Sequence, residues 1–271
     1  MIIDDINKIR KKVRQEAPLI HSITNPISIN QCANACLSLG ARPIMAEHPK
    51  EVKEITKTSK ALLLNLGNIT DIRRKSMMIS AKIAKKENIP IVLDLVGVSC
   101  SDLRKKFSKK LIKAYTPSVI KGNYSEISAL YNDNYKCSGV DAENTLSIEN
   151  IDDIAIKLSN KLGSIILASG KSDVVAFKNT LIHIKNGTEY LQKVTGTGCM
   201  QGEVLACFLA ASNDVGAVVT AAGVLGICGE LSKTQKGAGS FMVNLMDNLS
   251  KIKDEDIEKY LKIEVKEIEG F

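Results

Sequence analysis

The 271-residue sequence contains no Trp, and aromatic residues make up only 4% of it. A surface that stacks single-stranded bases needs several aromatic platforms, so this scarcity argues against one. Histidine is also scarce, with only His21, His48 and His183. The seven cysteines stand at 32, 36, 100, 137, 199, 207 and 228, with no C-x-x-C pair among them. A zinc site would have to be assembled from scattered ligands, and an odd, unframed cysteine count reads as free thiols in a reducing compartment. Residues Met1 to Arg14 mix charges of both signs and lack an apolar signal core. Nothing there directs export, and the expected location is cytoplasmic. The longest weakly polar run, Val215 to Cys228, is too short to span a bilayer and reads as a buried helix.

Two familiar phosphate motifs are missing as well. Gly170-Lys171-Ser172 looks like the end of a P-loop, but the leading glycine that motif requires would fall at Ile165. Gly196, Gly198 and Gly202 are spaced one residue too widely for the dinucleotide fingerprint. There is no internal repeat and no low-complexity linker.

What remains has an ordinary globular composition, 44% hydrophobic and 25% charged. The length suits a single domain over residues 1–271, able to bury about 75% of its unfolded surface. The net charge of +7 arises from 37 basic and 30 acidic residues. The densest basic run, Arg104-Lys105-Lys106 with Lys109-Lys110, reads either as a solvated helix face or as a phosphate-attracting surface. A modest positive field also suits an anionic substrate.

Short aliphatic runs alternate with longer periodic ones. The expected strands are Leu19–Ile23, Pro43–Met45, Ala61–Leu66, Ile89–Asp94, Val119–Lys121, Ser164–Ala168, Val174–Phe177 and Leu181–Ile184. Helices are expected over Ile27–Leu39, opened by Asn25-Pro26 and closed by Gly40, and over Asp71–Asn88 and Asp102–Ala114. Such alternation demands crossovers, hence an α/β fold with a mostly parallel sheet and helices on both faces. The last two strands read as an antiparallel hairpin. The polar stretch Asn132 to Asn150 reads as a surface connection. In open α/β sheets ligands bind at the carboxyl ends of strands. That rule selects Ser22 to Asn25, Met45, Asn65 to Asn68, Asp94, Lys121 to Asn123 and Ser169 to Asp173.

Val194-Thr-Gly-Thr-Gly-Cys199 precedes a long apolar helix, Met200 to Ala211. Free backbone N–H groups at such an entry, with the helix dipole, can hold phosphate oxygens; the plainer reading is an ordinary Gly-containing helix start. Cys199 falls in the first turn, where a thiol pKa is lowered and the thiolate could take a proton from an alcohol. It reads equally as a buried structural cysteine. Asp94 closes a strand at the sheet crevice and suits Mg2+ coordination or a helix cap. Glu126 could share that ion or stabilise a first helical turn.

Taken together, these segments resemble the hydroxyethylthiazole kinases, ribokinase-like enzymes of thiamine salvage. The resemblance runs from Ile20 to Phe241 through His21-Ser-Ile-Thr-Asn25, Asn30 with Ala33-Asn34, Asp94 with Val96-Gly-Val98, Gly122-Asn123 with Ser125-Glu-Ile127, Val194 to Cys199, and Gly237-Ala-Gly-Ser-Phe241. It implies a ribokinase-like fold and transfer of phosphate from ATP, with Mg2+, to the alcohol of 4-methyl-5-(2-hydroxyethyl)thiazole. Met45, Asn25 and Gly67 would line the thiazole pocket, and Gly196 would touch the substrate near its hydroxyl. Lys121, Ser169 and the neighbouring Asn123 would meet the nucleotide, and Asp94 with Glu126 would organise Mg2+. Gly196, Thr197, Gly198 and Cys199 would form the anion hole, with Cys199 in base-like duty.

It also implies a homotrimer with active sites at subunit boundaries, and no nucleic-acid or membrane partner. Three residues depart from the family pattern: Leu95 stands for a usual Pro, Lys121 for Arg and Ser169 for Thr. The competing readings are a sister vitamin kinase acting on hydroxymethylpyrimidine or pyridoxal, a non-catalytic binding module of the same fold, and a basic nucleic-acid binder. The Gly-Thr-Gly-Cys loop and His-Ser-Ile-Thr-Asn weigh against the sister kinase, and Asp94 with Glu126 against the pure binder. Salt-dependent retention on DNA would mark the nucleic-acid binder.

Overall fold

The computed structural model describes residues 2–133, 135 and 148–267. Most of the polar stretch between Asn132 and Asn150, with Cys137, lies outside the described residues. After the opening helix α1 (Ile2–Glu16), strands and helices alternate: β1 (Leu19–Ile23), α2 (Ile29–Ser38), β2 (Arg42–Ile44), α3 (Val52–Thr58), β3 (Ala61–Asn65), α4 (Asp71–Lys86), β4 (Ile91–Asp94), α5 (Asp102–Tyr115), β5 (Val119–Asn123), α6 (Tyr124–Tyr131), α7 (Ile148–Leu162) and β6 (Ile165–Ser169). Two further strands, β7 (Asp173–Phe177) and β8 (Thr180–Ile184), precede four helices, α8 (Thr197–Leu209), α9 (Val215–Leu231), α10 (Ala238–Lys251) and α11 (Asp254–Tyr260). A last strand, β9 (Ile263–Glu267), ends the described chain.

All nine strands join one sheet in the order β2-β1-β3-β4-β5-β6-β7-β8-β9. Pairings from β2 to β6 are parallel, and those from β6 to β9 are antiparallel. The expected α/β class and the late hairpin therefore stand. Every residue of β3 and β4 is buried, as a strand covered on both faces must be. Because side chains alternate along a strand, Ala61 and Leu63 enter one buried cluster with residues of α1, α2 and α8 to α11, while Leu62 and Leu64 enter a second with residues of α3 to α7. Burying a Leu side chain contributes about 1.5–3 kcal/mol, so this double covering holds the central strands firmly.

Several boundaries differ from expectation. Asn25-Pro26 does not open α2, which begins at Ile29 with Ser28 at its N-cap. The Asn25 side chain instead accepts from the N–H of Ile27 at 3.1 Å, and its carbonyl accepts from Ser28 N–H at 3.0 Å, so a turn uses the residues that could have formed the first helical turn. Helix α8 starts earlier than Met200, at Thr197. Strand β9 has no clear apolar signal, since four of its five residues are exposed.

The chain passes from β1 to β2 on one side and then to β3 on the other. That reversal is a topological switch point between β1 and β3, the place where open α/β sheets bind their ligands outside the strands' carboxyl ends.

Candidate active site

Four adjacent strands deliver polar residues to the carboxyl edge of the sheet in register. Asn65 of β3 pairs with Asp94 of β4, Asp94 with Lys121 of β5, and Asn123 of β5 with Ser169 of β6. Asn65, Asp94 and Lys121 are buried and bonded in series. The Asn65 amide donates to Asp94 Oδ2 at 2.9 Å and Lys121 Nζ to Asp94 Oδ1 at 3.1 Å. Burial pushes the Asp94 carboxyl up, while the Lys121 ammonium and the Asn65 amide pull it back. Burial acts to lower the Lys121 pKa, and the neighbouring carboxylates, Asp94 first and then Glu126, more than reverse that, favouring the ammonium.

Lys121 also reaches across to α8, donating to the Gly198 carbonyl at 2.8 Å. The helix start is therefore fixed against the sheet edge. Gly196, at its N-cap, has φ +95 and no side chain to cap the first turn. A Cβ there would stand 2.8 Å from the Ser28 Cβ, so the helix approaches the loop after β1 as closely as glycine permits. The first backbone N–H groups of a helix have no intrahelical acceptor. At Thr197, Gly198 and Cys199 they form a positive concavity suited to an anion. The Thr197 hydroxyl turns away, donating to the carbonyls of Leu191 and Val194, so this residue offers its backbone rather than its side chain.

Cys199 is buried and meets the Asn25 amide, with Nδ2 to Sγ at 4.0 Å. Asn25 in turn accepts from the Asn68 amide at 3.1 Å, and a Cβ on Gly67 would lie 2.7 Å from Asn25 Nδ2. The expected lowering of the Cys199 pKa is not what the site produces. Burial and the Asp94 charge push the thiol up, outweighing a hydrogen bond with Ser28 and the Lys121 ammonium. A helix N-terminus favours a thiolate only while water can still reach it.

Glu126 is buried in the first turn of α6. Its Oε1 accepts from Gly97 N–H at 2.7 Å and its Oε2 from Asn123 N–H at 2.8 Å, forming a capping box with the Asn123 side chain. Burial and the Asp94 charge push its carboxyl up to about 7. Ser169 stands beside β5 with its hydroxyl 3.4 Å from the Gly122 carbonyl. Met45 lies one strand further out, half-buried just after β2, in a loop that His21 Nε2 fastens through the Ala46 carbonyl at 2.9 Å.

The expected residues thus gather into linked groups, Asn25 with Gly67 and Cys199, Asp94 with Lys121 and Gly198, and Glu126 with Asn123. Met45, just after β2, and Ser169, at the end of β6, lie at the same sheet edge outside these groups. The Hydroxyethylthiazole kinase family model matches residues 10–255. The chain belongs to the hydroxyethylthiazole kinase family. It is 47% identical over 261 residues to "Hydroxyethylthiazole kinase 2" of Clostridium botulinum (strain Hall), covering 94% of this chain and 98% of that protein. A solved hydroxyethylthiazole kinase from Pyrococcus horikoshii OT3 superposes with a TM-score of 0.89 at 32% identity, covering 97% of this chain and 99% of that one. A ribokinase-like superfamily protein of Enterococcus faecalis, at 12% identity and a TM-score of 0.63 over 92% of this chain and 94% of that one, shares the fold.

Asn65, selected from the sequence only as part of a strand's carboxyl end, and Arg73, not selected at all, both brace the candidate site. Asn65 links Asp94 to the following turn, since its Oδ1 also accepts from Gly67 N–H at 2.8 Å. Its place at a strand's carboxyl end was the available signal. Arg73 of α4 is buried, and its guanidinium donates to the carbonyls of Gly67 at 2.7 Å, Asn68 at 2.9 Å and Thr24. It clamps together the two loops at the switch point. Within Arg73-Arg74-Lys75 it is indistinguishable from a solvated helix residue.

Proposed function

We propose that this chain, acting as one unit, transfers the γ-phosphoryl group of ATP to the hydroxyl of 4-methyl-5-(2-hydroxyethyl)thiazole, yielding the thiazole phosphate used in salvage synthesis of thiamine diphosphate. The observation that carries this reading is the uncapped start of α8, held by Lys121 beside Asp94 at the switch point of a family member's sheet.

The alcohol oxygen forms the new bond to the γ-phosphorus as the bond to the bridging oxygen breaks, and ADP leaves. The alcohol proton passes to a base, the duty assigned here to Cys199 in its thiolate form. The N–H groups of Gly196, Thr197, Gly198 and Cys199 neutralise charge on the transferring oxygens. Such transfer depends on positioning and electrostatics more than on covalent chemistry. Lys121, Asn123 and Ser169 orient the nucleotide, while Met45, Asn25, Gly67 and Gly196 seat the thiazole and its hydroxyethyl arm.

Asp94 and Glu126 are two buried carboxyl groups whose charges repel one another, a hard-oxygen donor set that fits Mg2+. Bound there, the ion would supply charge neutralisation for the phosphates. The same family membership supports a cytoplasmic homotrimer with active sites at subunit boundaries, without nucleic-acid or membrane partners. No helix among the described residues is long and apolar enough to cross a membrane.

The test is ADP release with Mg-ATP and the thiazole, with mass spectrometry of the product. The expected outcome is a phosphorylated thiazole. Turnover only with hydroxymethylpyrimidine or pyridoxal would keep the mechanism and refute the pocket assignment. No turnover with any of them would refute the kinase reading.

A further inference from the structure

Away from the sheet edge, where α2 packs against α8, the side chains of Cys36, Glu203 and Cys207 converge. One donor atom from each lies within 4.8 Å of the others, and all three residues are 0% exposed. Glu203 and Cys207 are four residues apart on α8 and so share one helix face. Glu203 Oε2 accepts from the Ser22 hydroxyl at 2.7 Å. Its Oε1 is buried without a hydrogen bond of good geometry, and the weakly donating Cys36 thiol is the group that faces the carboxyl.

A carboxyl group is a costly way to fill a core. Leaving a buried acceptor unmatched costs about 1–3 kcal/mol, and an aliphatic residue of similar size would avoid the loss. Burial also pushes the Glu203 carboxyl up to about 7 and the Cys207 thiol well above its ordinary range. Both thiols, Cys36 being raised as well, and part of the carboxyl population thus hold protons that a cation would displace.

We propose that Cys36, Cys207 and Glu203 bind a thiophilic divalent cation, which the ligand set marks as zinc. Two sulfur donors and one carboxylate favour zinc over the hard cations that suit Asp94 and Glu126. With Zn–S about 2.3 Å and Zn–O about 2.0–2.2 Å, ligand atoms of a tetrahedral site lie about 3.3–3.8 Å apart. The trio therefore needs to close by no more than about 1.5 Å. The Ser22 hydroxyl, already on Glu203, or a water would take the fourth position. Binding releases both thiol protons, and the carboxyl proton where it is held, with no change in oxidation state. The cation would tie the helix that carries Cys199 to the helix that follows Asn25.

Cobalt reports such a site through thiolate-to-metal charge-transfer absorption. The full chain would be titrated with Co2+ and also produced in cobalt-supplemented medium, since entry to a fully buried site is slow. One equivalent per chain with a charge-transfer band is expected. The band should vanish in Cys36→Ser and Cys207→Ser, persist in Cys100→Ser, and need at least tenfold more Co2+ in Glu203→Gln. No band in either wild-type preparation would overturn the proposal, leaving a cluster of neutral hydrogen-bonded groups. A band surviving both cysteine changes would place the cation elsewhere and overturn it equally. Should the serine variants fail to fold, the wild-type band and the isosteric Glu203→Gln titration decide.

Discussion

At Cys199 two electrostatic effects oppose one another. The start of α8 favours a thiolate, but burial and the nearby Asp94 carboxylate push the thiol up. Burial thus favours the protonated thiol, so in the proposed mechanism only the thiolate form of Cys199 can take the substrate proton, and turnover should rise with pH as that form becomes more populated. Cys199→Ala is expected to lower kcat about 10²-fold or more, the usual worth of general-base catalysis. The Kd for ATP should stay unchanged, because the backbone N–H groups of the helix start remain. Cys199→Asp should retain turnover. An unaltered kcat in the Ala variant would remove the thiol from the mechanism. The position of Cys199 was legible in the sequence, and its charge state was not. A first-turn cysteine is a local pattern, whereas its pKa depends on Asp94, which is 105 residues away in the chain. The same holds for Arg73, whose carbonyl acceptors Thr24, Gly67 and Asn68 come from two loops that only the fold brings together.

The elements most legible in advance were those whose signal is local and repeated. Strands β1, β3 and β4 are aliphatic runs ending in Ile23, Asn65 and Asp94, and α4 and α5 are opened by the side chains of Thr70 and Ser101, which accept from the N–H groups of Arg73 and Arg104. The start of α8 was misplaced because Thr197 and Gly198 are poor helix formers, overruled by packing of Gly196 on Ser28 and by the Lys121 bond to Gly198. That account makes Gly196 decisive for where the helix begins. Gly196→Ala would force φ +95 on a residue with a Cβ and press that Cβ toward Ser28. The expected loss is about 1–3 kcal/mol of stability, with Tm falling about 2–4 °C for each kcal/mol, together with a higher KM for ATP. Ser28→Gly in the same chain should recover part of the loss, because it removes the opposing Cβ. A double-mutant cycle with no coupling between the two changes would show that the contact does not set the helix start.

On the scale of the whole molecule, one sheet with a double-sided core explains why the site lies where it does. The reversal between β2 and β3 sets the switch point, and parallel pairing through β6 aligns the carboxyl ends of six neighbouring strands along that edge. What a single chain leaves unexplained is a set of exposed apolar side chains on α2, α10 and the loop after β1. Ile27 is 59% exposed and lies two residues from Asn25. Leu37 of α2 is 57% exposed, as is 62% of Val243 on α10, the helix that packs against α2. Covering a Leu or Val side chain is worth about 1.5–3 kcal/mol, and further copies of this chain would cover them in the proposed homotrimer, with the substrate crevice at the boundary. Leu37→Glu together with Val243→Glu places like charges on that face without touching a core residue. Light scattering should show the mass fall from three chains to one, and turnover should fall with it, since each crevice then lacks its neighbouring wall. Wild-type protein that runs as a single chain with full turnover would remove the trimer, and a trimeric double variant would move the interface to another face.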